Sequence, residues 1–143
     1  MRYLSYRPRS ELEVKNYLRQ KGCEPQVCEA VIDKLRSLHY LDDLSFAQIW
    51  ARSRLESRGY GPRRVEQELR LKGIDANTIR ETVQQSLQQT SEQESARNIL
   101  IKRFGAGYPQ DAKAQRRAVA LLQRRGFSSN VIFDLLKYRI DED

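Results

Sequence analysis

The side chains that could carry acid–base or metal chemistry are few in this chain. Two cysteines, Cys23 and Cys28, and a single histidine, His39, do not supply the four ligands of a tetrahedral metal site. The adjacent carboxylates Asp42 and Asp43 could act as a pair, but a helix cap at the positive end of the helix dipole explains both. The sequence also contains no glycine-rich phosphate loop and no nucleophile motif. These observations predict a protein that is not an enzyme and that needs no cofactor and no metal.

Basic side chains are the second group that could carry function. The formal net charge is +7 and the isoelectric point is about 9.6. The excess is local, because residues 97–125 contain eight basic residues and one acid. A localised excess of this kind indicates a polyanionic partner, most often nucleic acid. A solubilising surface is the alternative, and charge alone does not separate the two.

Two arginine pairs recur at the same place relative to a glycine. Arg63-Arg64 and Arg116-Arg117 stand ten and nine residues before Gly73 and Gly126. At about 100° per residue, these helices turn basic stripes away from their apolar faces. A random solvated face need not recur in this way, which favours contact with nucleic acid or with an acidic protein groove. The predicted partner-binding residues are Arg52, Arg54, Arg58, Arg63, Arg64, Arg70, Lys113, Arg116, Arg117 and Arg124.

A threefold sequence repeat positions these residues. Gly22, Gly73 and Gly126 stand 51 and 53 residues apart, and each lies between a basic and an apolar residue. Self-similarity at such a period predicts a repeat architecture. Cys23 and Cys28 occupy positions where the other copies have Ile or Phe, so a role in the core is favoured. A disulfide between them is disfavoured in the cytoplasm.

The local signals are those of helices throughout. Capping boxes begin at Ser10 and Ser91, prolines suited to a first turn stand at Pro25 and Pro62, and no strand pattern of useful length competes. The sequence therefore predicts an all-α chain of tandem three-helix repeats that form an elongated, curved rod, with the last repeat truncated after its second helix. The predicted ranges are 1–57 for repeat 1 with an N-terminal extension, 58–107 for repeat 2 and 108–143 for repeat 3.

Four aromatic residues could stack on bases: Tyr40, Trp50, Tyr60 and Tyr108. Trp50 aligns with Ile99 of the next repeat, which favours the core. Tyr60 and Tyr108 each follow a glycine at the same junction, so packing between repeats is favoured over base stacking.

Hydropathy predicts no membrane partner. No apolar run approaches the roughly 20 residues needed to cross a bilayer. The N-terminal residues contain no long apolar segment of the kind found in secretory signals. A cytoplasmic location is therefore expected.

The chain resembles the RecX family, whose members regulate the bacterial RecA recombinase. The resemblance begins at Tyr6-Arg7-Pro8-Arg9-Ser10 and is most specific in one stretch, which contains Tyr40-Leu41-Asp42-Asp43, Phe46-Ala47, Gly61, Val65, Glu68-Leu69 and Lys72-Gly73-Ile74. It implies tandem three-helix repeats without catalytic residues. It also implies binding to RecA–DNA filaments and inhibition of RecA ATPase and strand exchange, with effects on DNA repair, recombination and the SOS response. The resemblance itself supplies no contact residue. The predicted partner-binding residues are inferred from charge and register alone.

Two functions follow as hypotheses. The first is a monomeric, non-enzymatic modulator that docks in the groove of a filament of RecA and single-stranded DNA. The second is a stand-alone nucleic-acid-binding module, since three-helix units with glycine turns can imitate helix-turn-helix domains.

Overall fold

The computed structural model describes residues 7–89, 91–107 and 111–136, and these ranges contain helices and no strand. The helix Asp43–Arg52 continues into a π-helical turn at Ser53–Ser57. The helices are α1 (Glu11–Gln20), α2 (Pro25–Ser37), α3 (Asp43–Arg52), α4 (Pro62–Leu71), α5 (Ala76–Gln89), α6 (Glu92–Phe104), α7 (Ala112–Arg125) and α8 (Ser129–Leu136). The prediction of an all-α chain is confirmed. Tyr108, predicted to pack between repeats, lies outside the described residues.

Side-chain caps set the helix starts. The Ser10 hydroxyl accepts the Glu13 N–H, and the Glu13 carboxylate accepts the Ser10 N–H, so the predicted capping box before α1 is present. Asp42 caps α3 by accepting two backbone N–H groups of the first turn. Asp43 does not share this role. Its carboxylate accepts the N–H of Glu11 at 2.9 Å and so ties the start of α3 to the start of α1.

The same glycine corner ends α1, α4 and α7. Gly22, Gly73 and Gly126 have φ angles of 87°, 83° and 90°, a region that glycine enters without steric cost. In each corner the N–H after the glycine donates to the carbonyl of the leucine four residues before it, at 3.0–3.1 Å. This is the hydrogen bond of a Schellman motif. The repeat seen in the sequence is therefore also a repeat of backbone geometry.

Three apolar clusters divide the helices into units. Unit 1 contains α1 and α2 around Val14, Ile32 and Leu41. Unit 2 contains α3–α5, and unit 3 contains α6–α8. In units 2 and 3 the first helix packs against the third. The ranges 1–57, 58–107 and 108–143 stay a prediction of the repeat period. The clusters of units 2 and 3 each begin one helix earlier than the corresponding range.

The cysteines and the predicted helix wheels agree with the burial pattern. Cys28 is fully buried, Cys23 is half-buried, and both thiols are free. In α4, Val65 and Leu69 are fully buried while Arg63 and Arg70 are exposed. In α7, the buried residues are Ala114, Ala118, Val119, Leu121 and Leu122, and the exposed basic residues are Lys113, Arg116, Arg117 and Arg124. The apolar faces of α4 and α7 are thus buried in the cores, and these basic side chains face solvent.

Candidate nucleic-acid interface at the second junction

Units 1 and 2 meet at a contact that we call the first junction, formed by Arg7, Glu13, Trp50 and Lys72. The Glu13 carboxylate accepts hydrogen bonds from Arg7 at 2.5 Å and from Lys72 at 2.9 Å. The two cations lie 5.9 and 5.0 Å from the centre of the Trp50 ring. One carboxylate therefore neutralises two cations that approach each other from different units, through charge-assisted hydrogen bonds.

Trp50 is partly buried and is committed to contacts within the protein. Its ring stacks on Phe46 at 5.6 Å, and its indole N–H donates to Glu68 at 3.0 Å. The Arg54 guanidinium lies 4.0 Å from the ring centre and 3.4 Å from the same carboxylate. Trp50 packs against the core of unit 2, as predicted. Arg54, a predicted partner-binding residue, is held within this intramolecular cluster.

Glu13 makes the first junction sensitive to pH. Burial alone would raise the pKa of Glu13, but hydrogen bonds from Arg7, Lys72 and the Ser10 N–H outweigh it and hold this pKa below its usual value. Arg9 lies 3.9 Å away and adds to the positive surroundings. A carboxyl whose pKa is lower in the folded state stabilises the fold above its unfolded pKa of about 4.3. That contribution is lost as the pH falls through the folded value.

A Glu13→Gln variant tests this linkage. At pH 7 it is expected to lower the free energy of unfolding by about 1–2 kcal/mol, because the two cations lose their counter-charge. The difference between variant and parent should shrink as the pH falls below 4.3 and vanish once Glu13 is protonated. Urea unfolding between pH 3 and pH 7 measures it. A difference that does not change with pH would contradict the assignment.

Units 2 and 3 meet backbone to backbone at a contact that we call the second junction. The Gly61 N–H donates to the Arg125 carbonyl at 2.6 Å, and the Arg63 N–H donates to the Gly126 carbonyl at 2.9 Å. The Arg125 guanidinium donates to the Arg58 carbonyl at 3.1 Å. A Cβ atom on Gly61 would lie 2.5 Å from the Gly126 carbonyl, so only glycine permits this approach.

A continuous basic surface surrounds the second junction. Three clefts of about 520, 210 and 340 Å³ open there, and Arg103 lines the first and second while Arg124 lines the second and third. We call this surface the basic face, and its members are Arg58, Arg63, Arg64, Lys102, Arg103, Arg117, Arg124 and Arg125. It combines residues of the π-helical turn's C-terminal end, α4, α6 and α7 from two units.

The charge of the basic face is largely uncompensated. Among the residues that the structure describes, only Arg64 of this set has an acidic partner: Glu68, 3.6 Å away. The Arg64 guanidinium also stacks on Tyr60 at 3.8 Å. Tyr60 packs against the core of unit 2 and supports an arginine of the same unit, and its predicted place between repeats stays a prediction. Uncompensated cations beside clefts attract polyanions and raise their association rate.

The structure brings half of the predicted residues together. Five of the ten lie on the basic face: Arg58, Arg63, Arg64, Arg117 and Arg124. Arg54 is held in the cluster around Trp50, beside the first junction. The other four are exposed and line none of these three clefts: Arg52, Arg70, Lys113 and Arg116.

Sequence reasoning missed three members of the basic face: Lys102, Arg103 and Arg125. All three lie within the locally basic stretch 97–125, which was the available signal. The apolar periodicity of α6 does not show which neighbouring helix its basic residues approach.

Two other kinds of site find no support in the described ranges. They contain no cluster of three His, Cys, Asp or Glu side chains that could hold a metal ion. No helix in those ranges is both long enough and apolar enough to cross a membrane.

Three family models match the chain in tandem. They are described as RecX, first three-helix domain, at residues 1–35; RecX, second three-helix domain, at residues 42–83; and RecX, third three-helix domain, at residues 90–136. The second and third matches cover nearly the same helices as units 2 and 3. Tandem three-helix domains are therefore found by core packing and by family comparison alike.

Curated relatives and solved structures that are similar to the chain carry the same RecX name as these family models. The chain is 31% identical to the regulatory protein RecX of Thermobifida fusca, over 100% of the chain and 77% of that protein. It is 36% identical to that of Bacillus subtilis, over 99% of the chain and 54% of that protein. A crystal structure of regulatory protein RecX matches with a TM-score of 0.77 and 26% identity, over 94% of the chain and 66% of that structure. RecX from Lactobacillus salivarius matches with a TM-score of 0.74 and 25% identity, over 95% of the chain and 88% of that structure. The chain belongs to the RecX family.

Proposed function

We propose that this chain is a non-enzymatic regulator that binds RecA–DNA filaments and inhibits RecA ATPase and strand exchange in the cytoplasm. Its relatives are named regulatory protein RecX. The observation that supports contact with a filament is the basic face, because a RecA filament carries a continuous row of DNA phosphates. Cations that have no internal partner lose little when they bind phosphate, since no intramolecular ion pair must first be broken.

The second junction gives this surface a fixed shape. Two backbone hydrogen bonds and the contact between Gly61 and Gly126 hold α4 and α7 side by side. Arginines from both helices therefore keep a set spacing, which reduces the conformational entropy lost on binding. A monomer whose units 2 and 3 lie along the DNA would favour a filament state that differs from the active one. The size of the inhibition depends on how much more tightly the chain binds that state than the active state of the filament.

Titration of the chain into a RecA ATPase assay with single-stranded DNA tests the proposal. The ATPase rate is expected to fall at a ratio of one chain per RecA or less, because each bound chain acts on filament protomers and not on free ATP. An unchanged rate at a one-to-one ratio would refute RecA inhibition. It would leave the family membership and the basic face as they are.

A stand-alone nucleic-acid-binding module is the second candidate function. The uncompensated basic face favours it, since that surface needs no RecA to attract DNA. Gel shifts with the chain alone, at two salt concentrations, separate the candidates. Tight binding that weakens steeply with salt supports the stand-alone module. Weak binding that becomes strong when RecA is added supports the filament regulator.

A further inference from the structure

The first and second junctions are built from equivalent positions. Arg58 and Arg64 stand 51 residues after Arg7 and Glu13, and Arg125 stands 53 residues after Lys72, the same offsets that relate the glycine corners. Both junctions pack a glycine corner against the start of the preceding repeat's helix. A Cβ on Gly73 would lie 2.8 Å from Leu12, and a Cβ on Gly126 would overlap the backbone of Arg64.

The two junctions differ in charge because Glu13 at the first corresponds to Arg64 at the second. At the first junction Glu13 binds both Arg7 and Lys72. At the second junction the same position is Arg64, whose guanidinium turns to Tyr60 and Glu68. Arg58 and Arg125, the counterparts of Arg7 and Lys72, have no ion-pair partner within the described ranges. The second junction therefore places two basic residues at one cleft without the carboxylate that joins their counterparts at the first.

The largest cleft of the basic face lies at this place. Its volume is about 520 Å³, and four basic side chains and one acid, Glu56, line it. The four are Arg58, Lys102, Arg103 and Arg125. Hydroxyl and amide groups from Ser57, Ser95 and Asn98 add further hydrogen-bonding capacity. Arginine guanidinium groups bind phosphate through paired N–H groups in a fixed fork, a geometry that suits this lining.

We propose that this cleft binds a phosphate group of a nucleic-acid backbone between Arg58 and Arg125, and that the bound anion fastens unit 3 to unit 2. The phosphate binds two cations of different units, as the Glu13 carboxylate does at the first junction. The choice of nucleic acid as the source of the phosphate rests on the proposed function. At neutral pH the first junction is then closed by an internal acid, whereas the second tightens only when the chain is bound to its ligand.

Two backbone amides report the second junction directly. The N–H groups of Gly61 and Arg63 donate across it, so their hydrogen exchange requires the junction to open. Exchange is measured by NMR on the full chain, alone, with a thymidine oligonucleotide and with inorganic phosphate. At a ligand concentration of 100 Kd, exchange at both amides is expected to slow by about a hundredfold. Slowing by the oligonucleotide at far lower concentration than by phosphate identifies a nucleic-acid backbone as the source. Slowing by a glutamate-rich peptide but not by the oligonucleotide would overturn the proposal in favour of an acidic protein partner.

Matched variants separate the cleft from general charge. Arg58→Gln is expected to abolish the slowing, whereas Arg19→Gln, which removes an equal charge from an exposed site in unit 1, is expected to retain it. Arg64→Glu restores the acid of the first junction, so exchange should be slow without any anion and should slow little further when one is added. Equal slowing in all three variants would overturn the proposal.

The outcome is independent of RecA. If the oligonucleotide slows exchange at Gly61 and Arg63 but the RecA ATPase rate is unaffected, the anion site stands and the proposed function falls. If the ATPase is inhibited while exchange at these amides is unchanged by DNA, only the anion site falls.

Discussion

Replacing Gly126 with alanine is expected to destabilise the chain severely. The residue has a φ of 90°, which costs an alanine about 1–2 kcal/mol. Its new Cβ would also overlap the backbone nitrogen of Arg64, and backbone cannot yield as a side-chain tip can. Overpacking of this kind costs about 1–3 kcal/mol more. The hydrogen bonds that Gly61 and Arg63 donate across the second junction should be strained or broken as α4 and α7 separate.

The matched control is Gly22→Ala. Gly22 occupies the equivalent corner with a φ of 87°, but nothing lies within 4 Å of a Cβ placed there. The free energy of unfolding of this variant should therefore fall only by the backbone cost of about 1–2 kcal/mol. Urea unfolding followed by circular dichroism measures both. Equal losses for the two variants would show that the second junction contributes nothing beyond its backbone conformation.

Reversing three charges on the basic face is expected to remove most of the affinity for the DNA–RecA filament. The variant carries Arg103→Glu, Arg117→Glu and Arg124→Glu, three residues that line the connected clefts. A hydrogen bond to a charged group contributes about 1.5–3 kcal/mol, so the loss of three weakens binding by at least about a thousandfold. The slope of log K against log salt for single-stranded DNA should also fall by about 2, since three phosphate contacts disappear.

The control reverses three arginines that are exposed away from those clefts: Arg52, Arg70 and Arg116. The two variants have the same net charge, so a difference between them reports location and not total charge. Filament binding and ATPase inhibition are measured for both, with circular dichroism as a check on helix content. Similar losses in both variants would show that affinity depends on overall charge and that the basic face has no special part in it.

The parts of the fold that sequence predicted are those fixed by local chemistry. The corner at Gly73 follows from the need for a positive φ after a helix, and the cap at Asp42 follows from unpaired N–H groups at a helix start. The exposure of Arg117 and Arg124 follows from the period of α7, because apolar residues on one face determine which residues point away. None of these predictions requires knowledge of a neighbouring helix.

The parts that sequence did not predict depend on contacts between helices. The pattern around Asp43 suits a cap, and only the approach of α1 makes its carboxylate accept the Glu11 N–H. Arg103 and Arg125 lie on different helices, and their meeting in one cleft depends on how units 2 and 3 pack. Periodicity in a single helix reveals its buried face but leaves open which helices share a core, so the grouping of helices into units was also beyond its reach.

The placement of Trp50 has a consequence for spectroscopy. It is the single tryptophan of the chain, and at the first junction its ring lies beside Arg7 of unit 1 and Lys72 of unit 2. Intrinsic fluorescence therefore reports separation of units 1 and 2 without any added dye. The second junction, where Ile99 takes the equivalent position, gives no tryptophan signal. Moving the indole by combining Trp50→Phe with Ile99→Trp would make the emission follow the joint between units 2 and 3 instead.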